Sequence, residues 1–343
     1  MIMKTVLMHY FSGTGNSHHA AELIGEVLSK NGYKPIIHAI ENSFYPNTVN
    51  MDLHIFFFPV YATAVPHIMC KYLLHLNNGK NAKTAVISTN GRISTRVRDG
   101  YQGWALHQAR LLLYFKNFDV FFSDTLDYPH NMTAFFPPRS KENNQKIMEK
   151  VLPRIHNISN KIIKGQKSHR KIFLLNFIWS IPFGFLYSLI GRRVIGKLYV
   201  ADLKCDLCGL CVQKCPVNAI HIKNNKIHWN WNCEGCMRCI NICPKQAIQM
   251  SFVRLMASIL VYWKNPLYLS YKFIPLIFLK KLGSAGKFTF EILIDIFLFF
   301  LFFSIIDFVF FVISKLHFFR NIISFGFTKF FNRYRLKDFL QKK

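Results

Sequence analysis

The chain has 343 residues, 51% of them hydrophobic and 16% aromatic, with 44 Lys and Arg against 17 Asp and Glu for a formal net charge of +27. That length has room for two or three domains with a real core. The charge leaves nucleic acid possible, but no helix-turn-helix, zinc-finger or RNA-binding signature accompanies it, so a nucleic-acid binder is not expected. It is also unevenly placed: residues 138–204 and 251–343 hold 28 of the 44 basic residues and only 7 of the 17 acidic ones. Those regions contain the most apolar stretches, and basic residues flanking apolar runs suggest an anionic membrane surface. For Lys141–Lys171 a merely solvated basic face is the plainer reading.

The first ten residues read as a strand that runs straight into a glycine loop. They have no basic n-region, long apolar stretch or small-residue cleavage site, so no signal peptide is expected. Thr5–Phe11 ends in Ser12-Gly13-Thr14-Gly15-Asn16-Ser17. A helical pattern follows, with Ala20, Leu23, Ile24, Val27 and Leu28 on one face. Strand, glycine loop and helix point backbone N–H groups at an anion. The P-loop would need Gly-Lys-Ser/Thr at the end of the loop, and none is present. The dinucleotide fingerprint needs a small residue at position 18, where His18 stands. What remains is a flavin mononucleotide (FMN) site, its phosphate held by neutral donors from Ser12, Thr14, Asn16 and Ser17 alternating with Gly13 and Gly15.

Pro35–Ala39 and Asp52–Val60 read as buried strands, the second containing Ile55-Phe56-Phe57-Phe58, a run suited to a parallel sheet covered on both faces. The loop Tyr61–Pro66 leads to a helix through Leu76. Thr84–Ser88 is the next strand, followed by Thr89-Asn90-Gly91. A helix over Gln102–Phe115 and a strand over Val120–Leu126 run into Asp127-Tyr128-Pro129-His130-Asn131. Strands alternating with helices predict a doubly wound α/β domain with ligands at the carboxyl ends of its strands. Cys70, among apolar neighbours, reads as an inert core thiol. His18 and His19 diverge by about 100° on a helix, which disfavours joint metal binding.

Ile172–Ile190 is 19 residues without charge between Arg170-Lys171 and Arg192-Arg193. Its length alone suggests a membrane crossing. A crossing there would put the glycine-loop domain and the cysteine domain that follows on opposite membrane faces. The segment therefore reads as a connector helix, broken near Pro182 and Gly184, packing on the domains or lying in the membrane interface.

Eight of the nine cysteines then form two copies of Cys-x-x-Cys-x-x-Cys-x-x-x-Cys-Pro: Cys205, Cys208, Cys211, Cys215, Pro216 and Cys233, Cys236, Cys239, Cys243, Pro244, offset by 28 residues. This is the ligand run of a bacterial two-cluster ferredoxin, in which the fourth cysteine of each copy serves the other cluster. Cysteines 205, 208, 211 and 243 are the expected ligands of one [4Fe-4S] cluster, and 233, 236, 239 and 215 of the other. Zinc ribbons use cysteine pairs, and nothing indicates the oxidising compartment that disulfides require. Around the motifs, Ala219–Ile222, an Asn224-Asn225 turn, Ile227–Trp229 and Ala247–Met250 predict two β–loop–α repeats.

Beyond them lie the apolar segments Leu255–Trp263 and Leu267–Leu279, then Ile292–Ile313, 22 residues apolar all round. Such a helix needs deep burial or lipid. Asp295 and Asp307, about 120° apart on it, are costly at bilayer depth. A spanning helix, a hairpin and an interfacial anchor stay open. In the basic tail, Arg333–Asp338 reads as a phosphate-facing or domain-docking segment, or as a solvated terminus.

Taken together, residues 5–137 resemble flavodoxins: Ser12–Ser17 is similar to their phosphate loop, and Pro59-Val60-Tyr61 matches the next cofactor loop. The whole chain resembles a bacterial and archaeal family of flavodoxin–ferredoxin fusion proteins, well over residues 1–250 and poorly beyond. The resemblance implies FMN, with Tyr61 near the isoalloxazine ring and Thr89, Asn90 and Gly91 supplying backbone contacts. Tyr128 and Asn131 correspond to a family loop of Pro-Asn-Tyr type, in a different order here.

The expected fold class is a flavodoxin-like α/β parallel sheet at 1–137 and a small α+β two-cluster ferredoxin at 198–252. A helical connector fills 138–197, apolar helices 253–314, and a basic tail 315–343. The expected function is electron transfer between FMN and two [4Fe-4S] clusters, with a redox protein as donor or acceptor, on the cytoplasmic face of a membrane. The alternative is an FMN-dependent reductase of a quinone-like or nitro acceptor.

Overall fold

The computed structural model describes residues 3–41, 51–92, 101–171, 174–264, 284–336 and 339. The apolar segment Leu267–Leu279, and Lys337 and Asp338 of the tail, lie outside the described residues.

Six parallel strands form the first domain: β1 (Lys4–Tyr10), β2 (Tyr33–Ala39), β3 (Leu53–Pro59), β4 (Ala82–Arg92), β5 (Phe118–Pro129) and β6 (Ser168–His169). Their order is β2-β1-β3-β4-β5-β6. This is the flavodoxin-like winding, which reverses direction between β1 and β3. All seven residues of β3 are buried, as its continuous apolar run requires. Its side chains alternate between faces. Ile55 and Phe57 join a core with α1 (Asn16–Ser29) and α5 (Val151–Ile163), while Phe56 and Phe58 join one with α2 (His67–His75) and α3 (Ala105–Phe115).

Residues 141–169 were expected in the connector, but they complete this sheet. Ser140 caps α4 (Lys141–Glu149) by accepting a hydrogen bond from the Asn143 N–H at 3.3 Å. Ile155, Ile158 and Ile162 of α5 recur at helical spacing and are buried against the sheet. Arg154 clasps Asp124 of β5 with two bonds of 2.8 Å. β6 then pairs with β5.

The expected break near Pro182 and Gly184 is absent. α6 (Leu174–Leu186) runs through Pro182, a π-helical turn (Tyr187–Gly191) follows, and α7 (Arg192–Leu198) continues the same helix. Gly184 marks a close approach rather than a break, because a Cβ there would lie 2.7 Å from the Ala64 Cβ.

The second domain pairs β7 (Tyr199–Ala201) antiparallel with β10 (Ile248–Met250) and folds β8 (Ile220–Lys223) onto β9 (Lys226–Trp229). Asn224 and Asn225 take φ of 51° and 55°, the left-handed pair that a two-residue hairpin turn demands. Two short helices, α8 (Leu210–Gln213) and α9 (Arg238–Ile242), follow the two cysteine loops. The 28-residue repeat extends to the backbone: Leu207 and Gly235 take φ of 58° and 66°, Gly209 and Met237 73° and 58°, Asn218 and Gln246 both 50°.

α10 (Phe252–Lys264), α11 (Ser284–Ile313) and α12 (His317–Ile323) follow. One side of α11 docks on the second domain, where the buried Asp307 carboxylate accepts from Lys197 Nζ at 2.7 Å and pairs with Arg254 Nη2 at 3.1 Å. The other side stays exposed, with Leu293, Phe297 and Phe308 each at least 60% accessible.

Candidate functional site

A cavity of about 350 Å³ opens at the carboxyl edge of the first sheet, the edge where this fold binds ligands. Ser12–Thr14, Asn16 and Ser17 line it after β1, Val60–Thr63 after β3, Thr89 and Gly91 at the end of β4, and Asn131 and Met132 after β5. Eight of the ten residues expected to contact FMN are therefore in its wall. Gly15 and Asn90 are the exceptions: Gly15 faces the C-terminal tail, and Asn90 is buried in β4. Tyr128 is fully buried in β5, where its hydroxyl meets His19 Nδ1 at 3.0 Å, outside the cavity wall.

The phosphate loop is held by its own residues. Ser12 Oγ accepts from the N–H groups of Gly15 at 3.0 Å and Ser17 at 3.2 Å. Ser17 Oγ meets Thr89 Oγ1 at 2.8 Å, tying the loop to β4. The Asn16 amide is engaged outside the cavity, donating to the Pro129 carbonyl at 3.0 Å. Two polar atoms on the cavity wall are left over: Thr14 Oγ1 and Tyr61 Oη are buried and without a hydrogen-bond partner among the described residues. Buried hydroxyls seldom stay unpaired. One at the phosphate loop and one after β3 fit a ligand with an anionic end and a polar ring edge. Burial, with the Cys236 sulfur nearby, pushes the Tyr61 hydroxyl well above its ordinary pKa, so it stays a neutral donor. The volume is in the range of small-molecule sites. The residues present thus fit FMN.

The remaining wall comes from elsewhere in the chain. Phe183 and Tyr187 reach in from α6 and its π-helical turn, and Gly235, Cys236 and Met237 from the second cysteine loop. A Cβ on Gly13 would fall 2.6 Å from Tyr61 Oη and 2.8 Å from the Cys236 carbonyl oxygen. Only glycine lets the phosphate loop, the tyrosine loop and the cysteine loop converge there.

Three side chains between the second set of cysteines fasten this junction. Arg238, 2% exposed, donates to the carbonyls of Ser12 at 2.6 Å and Gly13 at 3.1 Å and pairs with Glu41. Glu234, 1% exposed, accepts from the Ile68 N–H at 3.2 Å, placing a carboxyl at the first turn of α2. Burial raises the pKa of that carboxyl to about 7, against the lowering effects of Arg192 and backbone donors. Asn241 accepts from Thr133 Oγ1 at 2.8 Å. From the connector, Arg192 donates to the Cys233 carbonyl at 2.9 Å.

The cysteines fall into two crossed groups. Cys205, Cys208, Cys211 and Cys243 line one small cavity of about 20 Å³. Cys215 instead neighbours Cys233, Cys236 and Cys239. Among the described residues, no three His, Cys, Asp or Glu side chains converge as they would on a single metal ion. Backbone N–H groups face the sulfurs in matching fashion, Ala219 to Cys215 at 3.2 Å and Ala247 to Cys243 at 3.3 Å. Cys233, Cys236 and Cys239 are buried, whereas Cys208 is exposed. Cys70 belongs to neither group. It accepts from Gln108 Nε2 at 3.4 Å, and burial pushes its thiol up to about 12.

Residues 197–244 match the family model of the 4Fe-4S dicluster domain. Among solved structures, the chain is similar to a short-chain flavodoxin associated with a non-canonical PDU bacterial microcompartment, at 11% identity and a TM-score of 0.34, covering 48% of this chain and 98% of that one. It is also similar to oxidised flavodoxin 2 from Bacillus cereus (14%, TM-score 0.33, covering 46% and 99%). An azoreductase from Bacillus anthracis str. Sterne matches at 11%, with a TM-score of 0.32, covering 46% and 100%. No curated protein sequence matches. The first domain is assigned on its own strand order, and the second on its cysteine repeat and family match. The chain joins a flavodoxin-like parallel α/β domain to a 4Fe-4S dicluster domain.

Proposed function

We propose that this protein passes electrons between FMN in the cavity and two [4Fe-4S] clusters, converting between two-electron and one-electron carriers. Cys205, Cys208, Cys211 and Cys243 would hold one cluster, and Cys233, Cys236, Cys239 and Cys215 the other. Ser12–Ser17 would receive the phosphate of FMN. Tyr61 would contribute a neutral hydroxyl at the ring, and Thr89 and Gly91 would form the adjoining wall. When bound, FMN supplies two-electron chemistry and each cluster a one-electron step.

The observation that carries this reading is that the phosphate loop and the second cysteine loop line one cavity. A single chain with both cofactors replaces diffusional encounter by a fixed path. The three anchors hold that path rigid. The buried cysteine group at the cavity and the exposed Cys208 support a route from flavin to inner cluster, to outer cluster, to a redox protein at the surface.

Apolar surface supports the association with an anionic membrane. Leu174–Leu198 and Ile292–Ile313 are long and apolar enough to cross a bilayer, and only 11% and 22% of their respective windows are buried. Because α6 lines the cavity and α11 is tied by Asp307 to Lys197 and Arg254, the proposed contact is along their exposed faces.

Cofactor analysis of anaerobically purified protein tests the central reading, with about eight iron, eight sulfide and one FMN expected per chain. Bound zinc, or FAD in place of FMN, would contradict the corresponding half.

A further inference from the structure

The described part of the tail beyond the last helical turn bonds to both domains. We propose that residues 331–336 and Phe339 form a strap that is part of the flavin site, holding the phosphate loop from its outer side with Tyr334 as a positioning residue. This rests on the FMN reading above.

The strap leaves the 3₁₀ turn Phe327–Phe330 and runs along the cysteine domain, where Arg333 Nη2 donates to the Ile248 carbonyl at 3.2 Å and the Tyr334 N–H to Asn241 Oδ1 at 3.0 Å. It then crosses to the first domain. Tyr334 Oη donates to Asn16 Oδ1 at 2.9 Å, and the Leu336 N–H to the Thr14 carbonyl at 3.1 Å. Leu336 and Phe339 pack on Gly15, and the Phe339 ring lies 5.4 Å from the guanidinium of Arg238, which holds the next two carbonyls of the loop.

The strap reaches the loop through Thr14, Gly15 and Asn16, and no residue of the strap is in the cavity wall. The tail is therefore a backing and not a plug. Its effect on the loop follows from peptide geometry. In a trans peptide the C=O and N–H point in opposite directions. Holding the Thr14 carbonyl outward turns the Gly15 N–H inward, where it meets Ser12 Oγ. Asn16 is held at both ends of its amide, between Pro129 and Tyr334. A loop containing two glycines would otherwise lose much conformational freedom on binding, and ordering it beforehand removes that cost from the ligand's affinity.

The strap acts at the phosphate end, so it should distinguish FMN from riboflavin, the same ring without phosphate. The test is equilibrium binding of both flavins, read by fluorescence quenching, to flavin-stripped protein with its clusters intact. Three chains are compared: full length, Tyr334→Phe, and one ending after Phe330. Removing one hydroxyl should weaken FMN about 3–10-fold, and removing the strap should weaken it roughly 30-fold or more as several such contacts go. Riboflavin affinity and iron content should stay constant. Unchanged FMN affinity in Tyr334→Phe, or equal losses for FMN and riboflavin, would overturn the proposal. If the shortened chain loses its iron, Tyr334→Phe alone decides. A full-length chain that binds neither flavin removes the FMN reading, and the strap with it.

Discussion

The two cysteine motifs have the same spacing, matching left-handed backbone positions and the same N–H···S contacts, yet they stand in opposite environments. The first is at the surface, with Cys208 exposed; the second has three buried cysteines and forms part of the wall of the cavity at the glycine loop. The residues between the cysteines account for the difference. Where the second copy has Glu234, Arg238 and Asn241, the first has Asp206, Leu210 and Gln213 at the positions 28 residues earlier. Glu234, Arg238 and Asn241 all bond to the first domain. Among the described residues Asp206 bonds only locally, accepting from the Cys208 N–H at 3.2 Å. The shared residues build a cluster loop, and the differing ones decide which copy meets the flavin.

The largest effect should come from crossing the ligands. Cys215→Ala lies in the first motif but should destroy the inner cluster, lowering electron transfer from flavin to an external carrier by on the order of a hundredfold or more. Cys243→Ala lies in the second motif, yet should spare flavin-to-inner-cluster transfer. The reverse outcome, read by EPR and stopped-flow absorbance, would mean that each motif holds its own cluster.

Next in size is the buried arginine. Arg238→Met leaves Glu41 and two loop carbonyls without their partner and should cost about 3–5 kcal/mol of docking stability. That should appear as FMN release at lower urea. Leu210→Ala at the matching position of the outer copy should cost about 1 kcal/mol, at the low end for a truncation of a half-buried side chain, and leave FMN release unchanged. Exposure should also separate the clusters in time. Under an oxidant plus chelator, half of the iron should leave roughly tenfold faster than the rest, a difference of about 1.4 kcal/mol in barrier. The fast half should be absent from Cys243→Ala. The smallest contrast is Glu234→Gln against Asp206→Asn. Because burial holds the pKa of the Glu234 carboxyl at about 7, the amide should have little effect at pH 6 and be stabilising by about 1 kcal/mol at pH 8. For the exposed turn a few tenths are expected at either pH. Thermal melts of the two variants would show it.

The strands, the glycine loop and the cysteine repeat were legible because each is a local pattern: an apolar run, a loop between strand and helix, a fixed spacing. Eight of the ten positions named from that local reading line one cavity. The rest of the site depends on contacts across the chain that no local spacing encodes. Phe183 and Tyr187 come from a helix that looked like a connector, and Tyr334 from a tail that could equally have been solvated. Pro182 suggested a break, yet the helix runs on because packing at Ser180, Gly184 and Tyr187 holds it, with Ser180 accepting from Thr63 at 2.8 Å through its carbonyl. One signal for the junction was present: Arg238 puts a charge inside the second motif where the first has Leu210.

The most direct test is the rate at which electrons cross that junction. After rapid anaerobic reduction of the flavin, inner-cluster absorbance should change at a rate independent of protein concentration, with the outer cluster following. A rate that rises in proportion to protein concentration would mean that electrons pass between molecules, contradicting a shared wall between flavin and cluster.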